Sequence, residues 1–450
     1  MSKDIRIKKG LNLNLVGAAE QTTTKSVSSN VYALYLDDFH GITPKMLVRE
    51  GGEVKAGEPL FYNKGNEEML FVSPVSGELV EIVRGARRRI LTIKILADKE
   101  QQYLEHKTFD LSSAEAADIK KLLLVSGCWP FIKQRPYDVI ANPDATPKAI
   151  FISGFSTSPL AADVDYQLKG KEKELQAAIN ALAKFTPGKI HVGVSNAQSS
   201  VFSGIEGVEK NMVSGPHPAG LVGTQINKIN PINKGETVWT ISPQDLVIIG
   251  ELLLTGKFNA ERTVALAGSC VKKPKYYTTK IGAEISTFLY ASGVNDDNFR
   301  LINGDVLTGS TVKPDGYLGF YNTTVCAIPE GDDYELFGWN KPVFNKVSST
   351  RALTFSWLNK NKKYNLDTNT NGEHRAFVVT GRYEEVFPLD IYPLQLLKAC
   401  MVKDLDEMEQ LGLYEVAPED FSLTEFICIS KQPHQKIIRE GLDLLYQEIG

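Results

Sequence analysis

The first hundred residues alternate short runs of aliphatic and β-branched residues with glycines. Residues 69–72 and 78–83 are two such runs, and both have the composition that strands favour. Between residues 48 and 85 the runs are separated by Gly51, Gly52, Gly57, Gly65, Gly77 and Gly85. Glycine permits the tight corners that join short strands. The pattern therefore predicts a small domain made of strands and turns.

The periodicity then changes, and apolar residues recur every three or four positions. Ser113 is a suitable N-cap for a predicted helix over residues 114–125. An apolar strand at 149–153, a helix at 171–185 and a strand at 190–194 follow as a βαβ unit. Two strands joined by a crossover helix imply a parallel pair, so we predict a Rossmann-like sheet.

Beyond residue 256 the chain returns to β character. Residues 262–267 and 276–279 are predicted strands of a small β-grasp-type module, and 317–328 and 377–379 are further β-prone runs. The Asn- and Lys-rich stretch 359–372 is predicted to be an exposed loop.

The C-terminus has a helical pattern. Pro393 suits the first turn of a helix, and apolar residues then recur at helical spacing until Gly412. Residues 434–449 form a second amphipathic pattern. We therefore predict a multidomain α/β and α+β chain. Its parts are a barrel-sandwich (biotinyl/lipoyl-like) domain at 1–105, a Rossmann-like domain at 106–255, a β-grasp-type (SLBB-like) module at 256–330 and a mainly helical C-terminal domain at 331–450.

Composition excludes several functions. The 450 residues are 42% apolar and 23% charged, with a net charge of −4. No basic excess would attract nucleic acid, and no apolar stretch reaches the ~20 residues of a transmembrane helix. The charged N-terminus lacks the apolar core of a signal peptide, which favours a cytoplasmic location.

The cysteines and histidines argue against metal chemistry. Five cysteines stand at 128, 270, 326, 400 and 428 without a Cys-x-x-Cys motif, and the six histidines are equally scattered. Structural zinc sites and iron–sulfur clusters need closely spaced thiolates or imidazoles. We therefore expect this chain to bind no metal.

Two segments resemble the halves of a biotinyl/lipoyl-type barrel-sandwich. Residues 48–60 and 72–80 combine glycines for the corners with valines and leucines for a small core. A working carrier of this type presents a lysine at the hairpin tip between the halves. The sequence predicts that tip at residues 66–68, with Lys64 displaced toward the strand. We therefore expect a structural domain and not a swinging-arm carrier.

The loop at 214–223 is the densest run of glycine and proline. It lacks the Gly-Lys-Ser/Thr of a phosphate-binding loop, although its glycines would let the backbone approach a ligand or partner. His217 lies between two prolines within it, a position that suits either a structural or a functional imidazole.

Four arginines crowd a turn between two predicted strands: Arg84, Arg87, Arg88 and Arg89. They are either a solvated hairpin tip or a docking site for an acidic partner or lipid headgroups, because guanidinium pairs well with carboxylate and phosphate. No serine or cysteine lies in a recognisable nucleophile motif. Spacing alone thus indicates a multidomain α/β protein without evident catalytic apparatus.

Several segments carry a resemblance that runs nearly from end to end and in order. They are residues 5–17, 84–92, 215–224, 261–273 (Glu-Arg-Thr-Val-Ala-Leu-Ala-Gly-Ser-Cys-Val-Lys-Lys), 303–321 and 379–397, the last containing Phe-Pro-Leu-Asp-Ile-Tyr-Pro. Together they resemble the A subunits of the bacterial sodium-translocating NADH:quinone oxidoreductases. The resemblance implies a peripheral subunit on the cytoplasmic side of the inner membrane, within a six-subunit complex. That complex passes electrons from NADH to quinone and exports sodium, with its flavins and iron–sulfur centres on other subunits.

The architecture is also similar to the flavin subunit of respiratory complex I and to the Rnf-type electron-transfer subunit. In those relatives a glycine-rich loop cradles FMN, and C-terminal cysteines hold an iron–sulfur cluster. Here the loop reads Ser-Gly-Cys-Trp-Pro-Phe at 126–131, where Trp129 and Phe131 replace glycines, and Cys428 is solitary. Both departures imply a subunit with no cofactor of its own. The competing hypothesis is a stand-alone soluble ligand-binding protein on a degenerate flavin scaffold.

The lost flavin pocket provides one candidate site. The loop at 154–159 follows the carboxyl end of a predicted parallel strand, where open α/β sheets bind ligands. We expect Trp129 and Phe131 to face that crevice and to present a flat surface to a quinone ring, and His217 to hydrogen-bond a quinone oxygen. The alternative is that both aromatics only plug the lost site.

Overall fold

The computed structural model describes residues 3–24, 27–295, 298–331, 335–338, 340, 346, 348–351, 356–358 and 361–449. The first two positions of the predicted loop 359–372 lie outside the described residues. The strands are β1 (Asp4–Arg6), β2 (Glu20–Thr24), β3 (Val31–Tyr35), β4 (Pro44–Met46), β5 (Glu53–Val54), β6 (Pro59–Asn63), β7 (Asn66–Val72), β8 (Gly77–Arg84), β9 (Ile90–Ala97), β10 (Lys133–Arg135), β11 (Val139–Ile140), β12 (Ile150–Ser153), β13 (Ile190–Val194), β14 (Val208–Ser214), β15 (Val238–Thr240), β16 (Glu261–Ala267), β17 (Lys275–Lys280), β18 (Phe299–Asn303), β19 (Ser310–Val312) and β20 (Thr324–Pro329). The helices are α1 (Ala116–Val125), α2 (Val164–Gln167), α3 (Glu172–Leu182), α4 (Val222–Ile229), α5 (Pro243–Thr255), α6 (Ser286–Ser292), α7 (Tyr383–Val386), α8 (Pro393–Val402), α9 (Leu405–Gln410), α10 (Ser422–Phe426) and α11 (His434–Ile449).

The glycine-punctuated strands near the N-terminus form two small antiparallel sheets, ordered β3-β9-β8-β5 and β4-β6-β7. Leu60, Phe71 and Leu79 from the two sheets are buried in one core, as the barrel-sandwich requires. The hairpin tip differs from the prediction. Its two-residue turn is Lys64-Gly65, and residues 66–68 already belong to β7. Lys64 is therefore exposed at the tip, so the predicted absence of a tip lysine is wrong.

The first two strands pair outside the barrel-sandwich, although its predicted span starts at residue 1. β1 runs parallel to β14, and β2 runs parallel to β17. Because these partners lie far along the chain, no local turn signal marks the pairing in the sequence.

The predicted βαβ unit is present as β12, α3 and β13. The two strands are parallel, with Ile150 opposite Ile190 and Ser153 opposite Gly193. They lie within a sheet ordered β1-β14-β13-β12-β15-β10-β11, in which β10 and β11 are antiparallel additions at one edge. The carboxyl ends of β12 and β13 therefore meet at one edge of this sheet. Helix α1 begins at Ala116 with Glu115 at its N-cap, so the predicted capping role of Ser113 is wrong.

A second sheet follows, ordered β19-β18-β20-β16-β17-β2. The predicted strands 262–267 and 276–279 lie within β16 and β17, and only the last part of 317–328 is a strand, β20. Phe288 and Leu289 of α6 are buried in the core of this sheet together with Val264 and Val325. Residues 377–379 are not a strand.

The predicted helix from Pro393 to Gly412 is two helices. α8 ends before Lys403, which has a φ of +60°, and Asp404 then accepts a hydrogen bond from the Glu407 amide at 3.0 Å. This side-chain cap starts α9 as a separate helix. The predicted helix 434–449 coincides with α11. No helix among the described residues has the length and apolar character needed to cross a membrane.

A buried ion pair joins the C-terminal helices to the α/β sheet. Arg135 at the end of β10 donates to Asp420 at 2.6 Å and to Glu419 at 2.8 Å. The side chains of Arg135 and Asp420 are almost completely buried. Because removing one partner would leave an uncompensated buried charge, this contact fixes how the C-terminal helices lie on the sheet.

Candidate functional site

The carboxyl edge of β12 and β13 is where a ligand of an open α/β sheet would bind. Here the edge is occupied by the loops at 154–159 and 214–223. The Ser153 hydroxyl lies 2.9 Å from the Phe155 carbonyl and 2.8 Å from the Gly220 carbonyl, and it accepts from Gln225 Nε2 at 2.8 Å. Polar groups of the chain itself therefore form the hydrogen bonds of the Ser153 hydroxyl at the end of β12.

His217 lies in this network and is 1% exposed. Its Nδ1 is 3.1 Å from the Thr157 hydroxyl, which accepts from the Gly220 amide at 2.9 Å. Its Nε2 is buried without a hydrogen-bond partner among the described residues. Burial lowers the pKa of His217 to about 4, so the imidazole is neutral at physiological pH.

The N-terminal segment closes the network from outside. The Leu11 amide donates to the His217 carbonyl at 2.9 Å, and Asn12 Oδ1 accepts from the His217 amide at 2.9 Å. Gly10 passes so close that a Cβ would lie 2.1 Å from the His217 carbonyl oxygen. Only glycine fits at that position. The N-terminal segment and the loops at 154–159 and 214–223 therefore fill the crevice. Sequence reasoning missed Thr157, Gln225 and Asn12, since no local motif brings three such distant segments together.

Trp129 and Phe131 do not face this crevice, so the expectation of a flat surface presented there is wrong. Trp129 is completely buried, donates from Nε1 to the Ala141 carbonyl at 2.7 Å and packs edge-to-face on Trp239. Trp239 is opposite Ile150, the first residue of β12, which is the other end of that strand. Phe131 stacks on Phe320 with a centroid separation of 4.7 Å.

The loop at 126–131 is closed by the barrel-sandwich. Gly127 has a φ of +73°, and a Cβ there would lie 2.5 Å from a methyl group of Val72 in β7. The tight approach and the positive φ explain why residue 127 is a glycine. The two aromatic side chains and Val72 therefore make this loop part of the apolar core.

The arginine cluster lies where the sequence predicted, on the hairpin between β8 and β9. All four side chains are exposed. Arg89 forms an ion pair with Asp37, and Arg84 donates to the Arg88 carbonyl at 3.1 Å. Arg87 and Arg88 have no salt-bridge partner among the described residues, so two guanidinium groups point into solvent at the tip.

Cys428 lies in a closed apolar environment. It is completely buried with Tyr383 and Leu394, and its Sγ is 3.0 Å from the Tyr383 hydroxyl. The described residues contain no group of three His, Cys, Asp or Glu side chains arranged to hold a metal ion. The Tyr383 hydroxyl lies directly beside the sulfur.

Three sequence-family models match the chain. They are described as the NqrA N-terminal barrel-sandwich hybrid domain over residues 5–98, the NqrA second alpha/beta domain over 114–258 and the NQRA C-terminal domain over 263–313. The barrel-sandwich and the mixed α/β content are thus supported by both the structure and the family models.

Full-length relatives share one name, that of the A subunit of the Na(+)-translocating NADH-quinone reductase. The protein of Neisseria meningitidis serogroup B is 37% identical over 447 residues, which cover 99% of this chain and 100% of the relative. Those of Vibrio atlanticus and Rhodopirellula baltica are 36% and 35% identical, covering 99% and 98% of this chain and 100% and 98% of the relatives. Among solved structures, an NAD+-reducing [NiFe]-hydrogenase in the air-oxidized state matches at 12% identity with a TM-score of 0.35, covering 51% of this chain and 52% of that one. That similarity is too low to support an inference.

Proposed function

The chain belongs to the NqrA family, the A subunits of the Na+-translocating NADH-quinone reductases, and from this premise we propose that it supports electron transfer from NADH to quinone, coupled to sodium export. The observation that carries the proposal is the 37% identity along 99% of the chain. The match covers the whole length of the relative, so every predicted domain of this chain has a counterpart in it. It does not favour the alternative of a stand-alone ligand-binding protein.

The subunit works without a redox centre of its own in this proposal. Two observations support that role: Val72 packs directly against Gly127 in the loop at 126–131, and Tyr383 packs beside the solitary Cys428. Flavins and iron–sulfur centres then belong to the other subunits, with NADH and quinone as substrates of the complex. The exposed Lys64 at the hairpin tip has no assigned role in this scheme.

The proposed domain division follows the predicted parts. The parallel strands β12 and β13 and their crossover helix support a Rossmann-like domain at 106–255, and the second sheet with α6 supports a β-grasp-type module at 256–330. Helices α7 to α11 support a mainly helical C-terminal domain at 331–450. The first two strands of the proposed barrel-sandwich domain at 1–105 pair with other sheets, β1 with β14 and β2 with β17.

The proposed setting is a six-subunit complex, with this chain peripheral on the cytoplasmic side of the inner membrane. Arg84 and Arg87 to Arg89 dock an acidic surface of another subunit, because exposed guanidinium groups pair bidentately with carboxylates. No nucleic acid takes part. Proximity of Trp129, Phe131 and His217 to quinone stays a prediction. The complete burial of both aromatic rings favours the alternative, in which they plug a lost site.

Deletion and complementation test the proposal. Membranes from a strain that lacks this chain should lose sodium-stimulated NADH:quinone reductase activity and regain it when the tagged chain is supplied. The tagged chain should then co-purify with the other subunits. A stand-alone binder would purify alone, and its deletion would leave the reductase activity unchanged.

A further inference from the structure

A cavity lies between the N-terminal segment and the C-terminal region, and residues of both line it. The backbone joins its two sides, because the Tyr364 amide donates to the Asn14 carbonyl at 2.8 Å and the Val16 amide donates to the Tyr364 carbonyl at 3.1 Å. The empty space is about 490 Å³, and part of it is open to solvent. The cavity can therefore admit a small molecule from solution.

Three side chains that line the cavity have hydrogen-bond donors without partners. The half-buried Arg351 guanidinium has no hydrogen bond or ion pair among the described residues. Ser356 is 8% exposed, and its hydroxyl is buried without a partner in the same part of the chain. Asn12 uses Oδ1 to accept from the His217 amide at 2.9 Å, so its Nδ2 is left as a donor. A ligand that satisfies these groups must bring acceptors.

The charge at the cavity is positive. Arg351 is the one charged side chain among the described residues that line it, and none of them is Asp or Glu. The neighbouring carboxylates have other partners. Glu385 pairs with Arg382 at 2.8 Å, whereas Glu425 and Asp367 accept from backbone amides at 2.8 and 3.0 Å. The guanidinium group at the cavity is therefore not neutralised by these three carboxylates.

We propose that this cavity binds a small amphipathic oxyanion, in which a phosphate or carboxylate group is joined to an apolar group. Guanidinium pairs with either oxyanion through two parallel N–H donors, and the donors of Ser356 and Asn12 add to them. The apolar group lies against the apolar part of the lining, which consists of Leu11, Leu13, Leu15, Leu366 and Phe426. The inference goes beyond the proposed function and does not depend on it.

Calorimetric titration of the full-length chain tests the proposal, in a buffer that contains no other oxyanion. The probes are phenyl phosphate, benzoate, inorganic phosphate and the neutral benzyl alcohol. Phenyl phosphate or benzoate should bind at least about tenfold more tightly than benzyl alcohol, because hydrogen bonds between charged groups are the stronger ones. The tighter of the two identifies the oxyanion. Inorganic phosphate should bind at least about threefold more weakly than phenyl phosphate, since it lacks the apolar group.

Three variants locate the binding. Arg351→Gln should weaken it at least about tenfold through the loss of the charged donor. Asn12→Asp keeps the acceptor for the His217 amide but adds a negative charge at the cavity, so it should weaken binding by a similar factor of about ten. Ser356→Ala should weaken binding about fivefold without lowering the melting temperature, because its hydroxyl has no partner to lose.

Two matched variants serve as controls. Arg375→Gln removes an exposed arginine, and Ser430→Ala removes a second buried hydroxyl without a partner among the described residues; neither residue lines the cavity. Both should bind the anion like the wild type.

Thermal unfolding gives a second readout. The bound anion should raise the melting temperature of the wild type and of both controls but not that of Arg351→Gln, since a ligand of the folded state stabilises it. The proposal is overturned if neither phenyl phosphate nor benzoate binds, if benzyl alcohol or inorganic phosphate binds as tightly, or if the test variants bind like the controls. Each of these results would leave the proposed function intact.

Discussion

Buried histidines make the stability of this chain sensitive to acid. Burial lowers the pKa of His217 to about 4 and that of His434 to about 3, compared with 6.5 for an imidazole in the unfolded chain. The unfolded state therefore binds more protons at intermediate pH. Stability contributed by the neutral imidazoles is fully present above about pH 6.5 and is lost as the pH falls toward the folded-state pKa values.

His217→Gln should weaken this pH dependence. Between pH 7.5 and pH 5 the wild type should lose about 2 kcal/mol more unfolding free energy than the variant. The reason is that only the wild type has an imidazole at this position, which binds a proton at pH 5 in the unfolded state but stays neutral in the folded state. Urea unfolding at the two pH values measures the difference. His374→Gln, which alters an exposed histidine, should behave like the wild type. Equal losses in wild type and His217→Gln would show that His217 does not contribute.

Trp129 and Trp239 allow a matched test of the plugging role. Trp129→Phe removes the hydrogen bond to the buried Ala141 carbonyl and should cost about 1–3 kcal/mol in unfolding free energy. Trp239→Phe should cost less, because Trp239 Nε1 has no partner among the described residues. In the assembled complex the KM for quinone should stay unchanged with Trp129→Phe. A raised KM for quinone with unchanged NADH oxidation by artificial acceptors would instead support proximity to quinone.

At the scale of elements, the β8–β9 hairpin is an extension of the barrel-sandwich whose tip makes few internal contacts. Its strands are fixed by the ladder between them, whereas Arg84, Arg87 and Arg88 are exposed. Exposed charges of this kind contribute little to folding but can decide association. The arginines at the hairpin tip are therefore suited to bind another subunit, and they should contribute little to the stability of the fold.

Arg84→Glu/Arg87→Glu/Arg88→Glu should leave the melting temperature nearly unchanged and reduce co-purification of the other subunits at least about tenfold. Arg89 is left intact because it pairs with Asp37. Reversal of three other exposed lysines, Lys272, Lys273 and Lys313, should not affect assembly. Normal assembly of the arginine variant would show that the cluster is only a solvated hairpin tip and not a docking site.

At the scale of the whole molecule, the isolated chain should be colourless and should not oxidise NADH. The expectation rests on the packing of Val72 against Gly127 and of Tyr383 against Cys428, the two places where the resemblance would put a flavin loop and a cluster ligand. A visible spectrum of the purified chain measures this, with the purified complex as the coloured control. Stoichiometric flavin or iron–sulfur absorption by the chain alone would contradict the proposed role.

The sequence by itself determined the elements whose signal is local. The apolar spacing of α11, the short runs of β13 and β16 and the turn that carries the arginine cluster all depend on residues close together in the chain. The same holds for the family, because identity along 99% of the chain needs no coordinates. Local periodicity and turn residues decide these features, since each is set by neighbours within a few positions.

Only the tertiary structure decided where distant segments meet. Residues 377–379 have the composition of a strand but no sheet partner, and β1 finds its partner about two hundred residues away at β14. The sequence singled out Trp129 and His217, yet packing placed one at the start and the other at the end of the parallel strands. Arg135 and Asp420 meet although 285 positions separate them. Such contacts depend on the packing of whole layers, because burial and pairing over long separations leave no periodic trace in the chain.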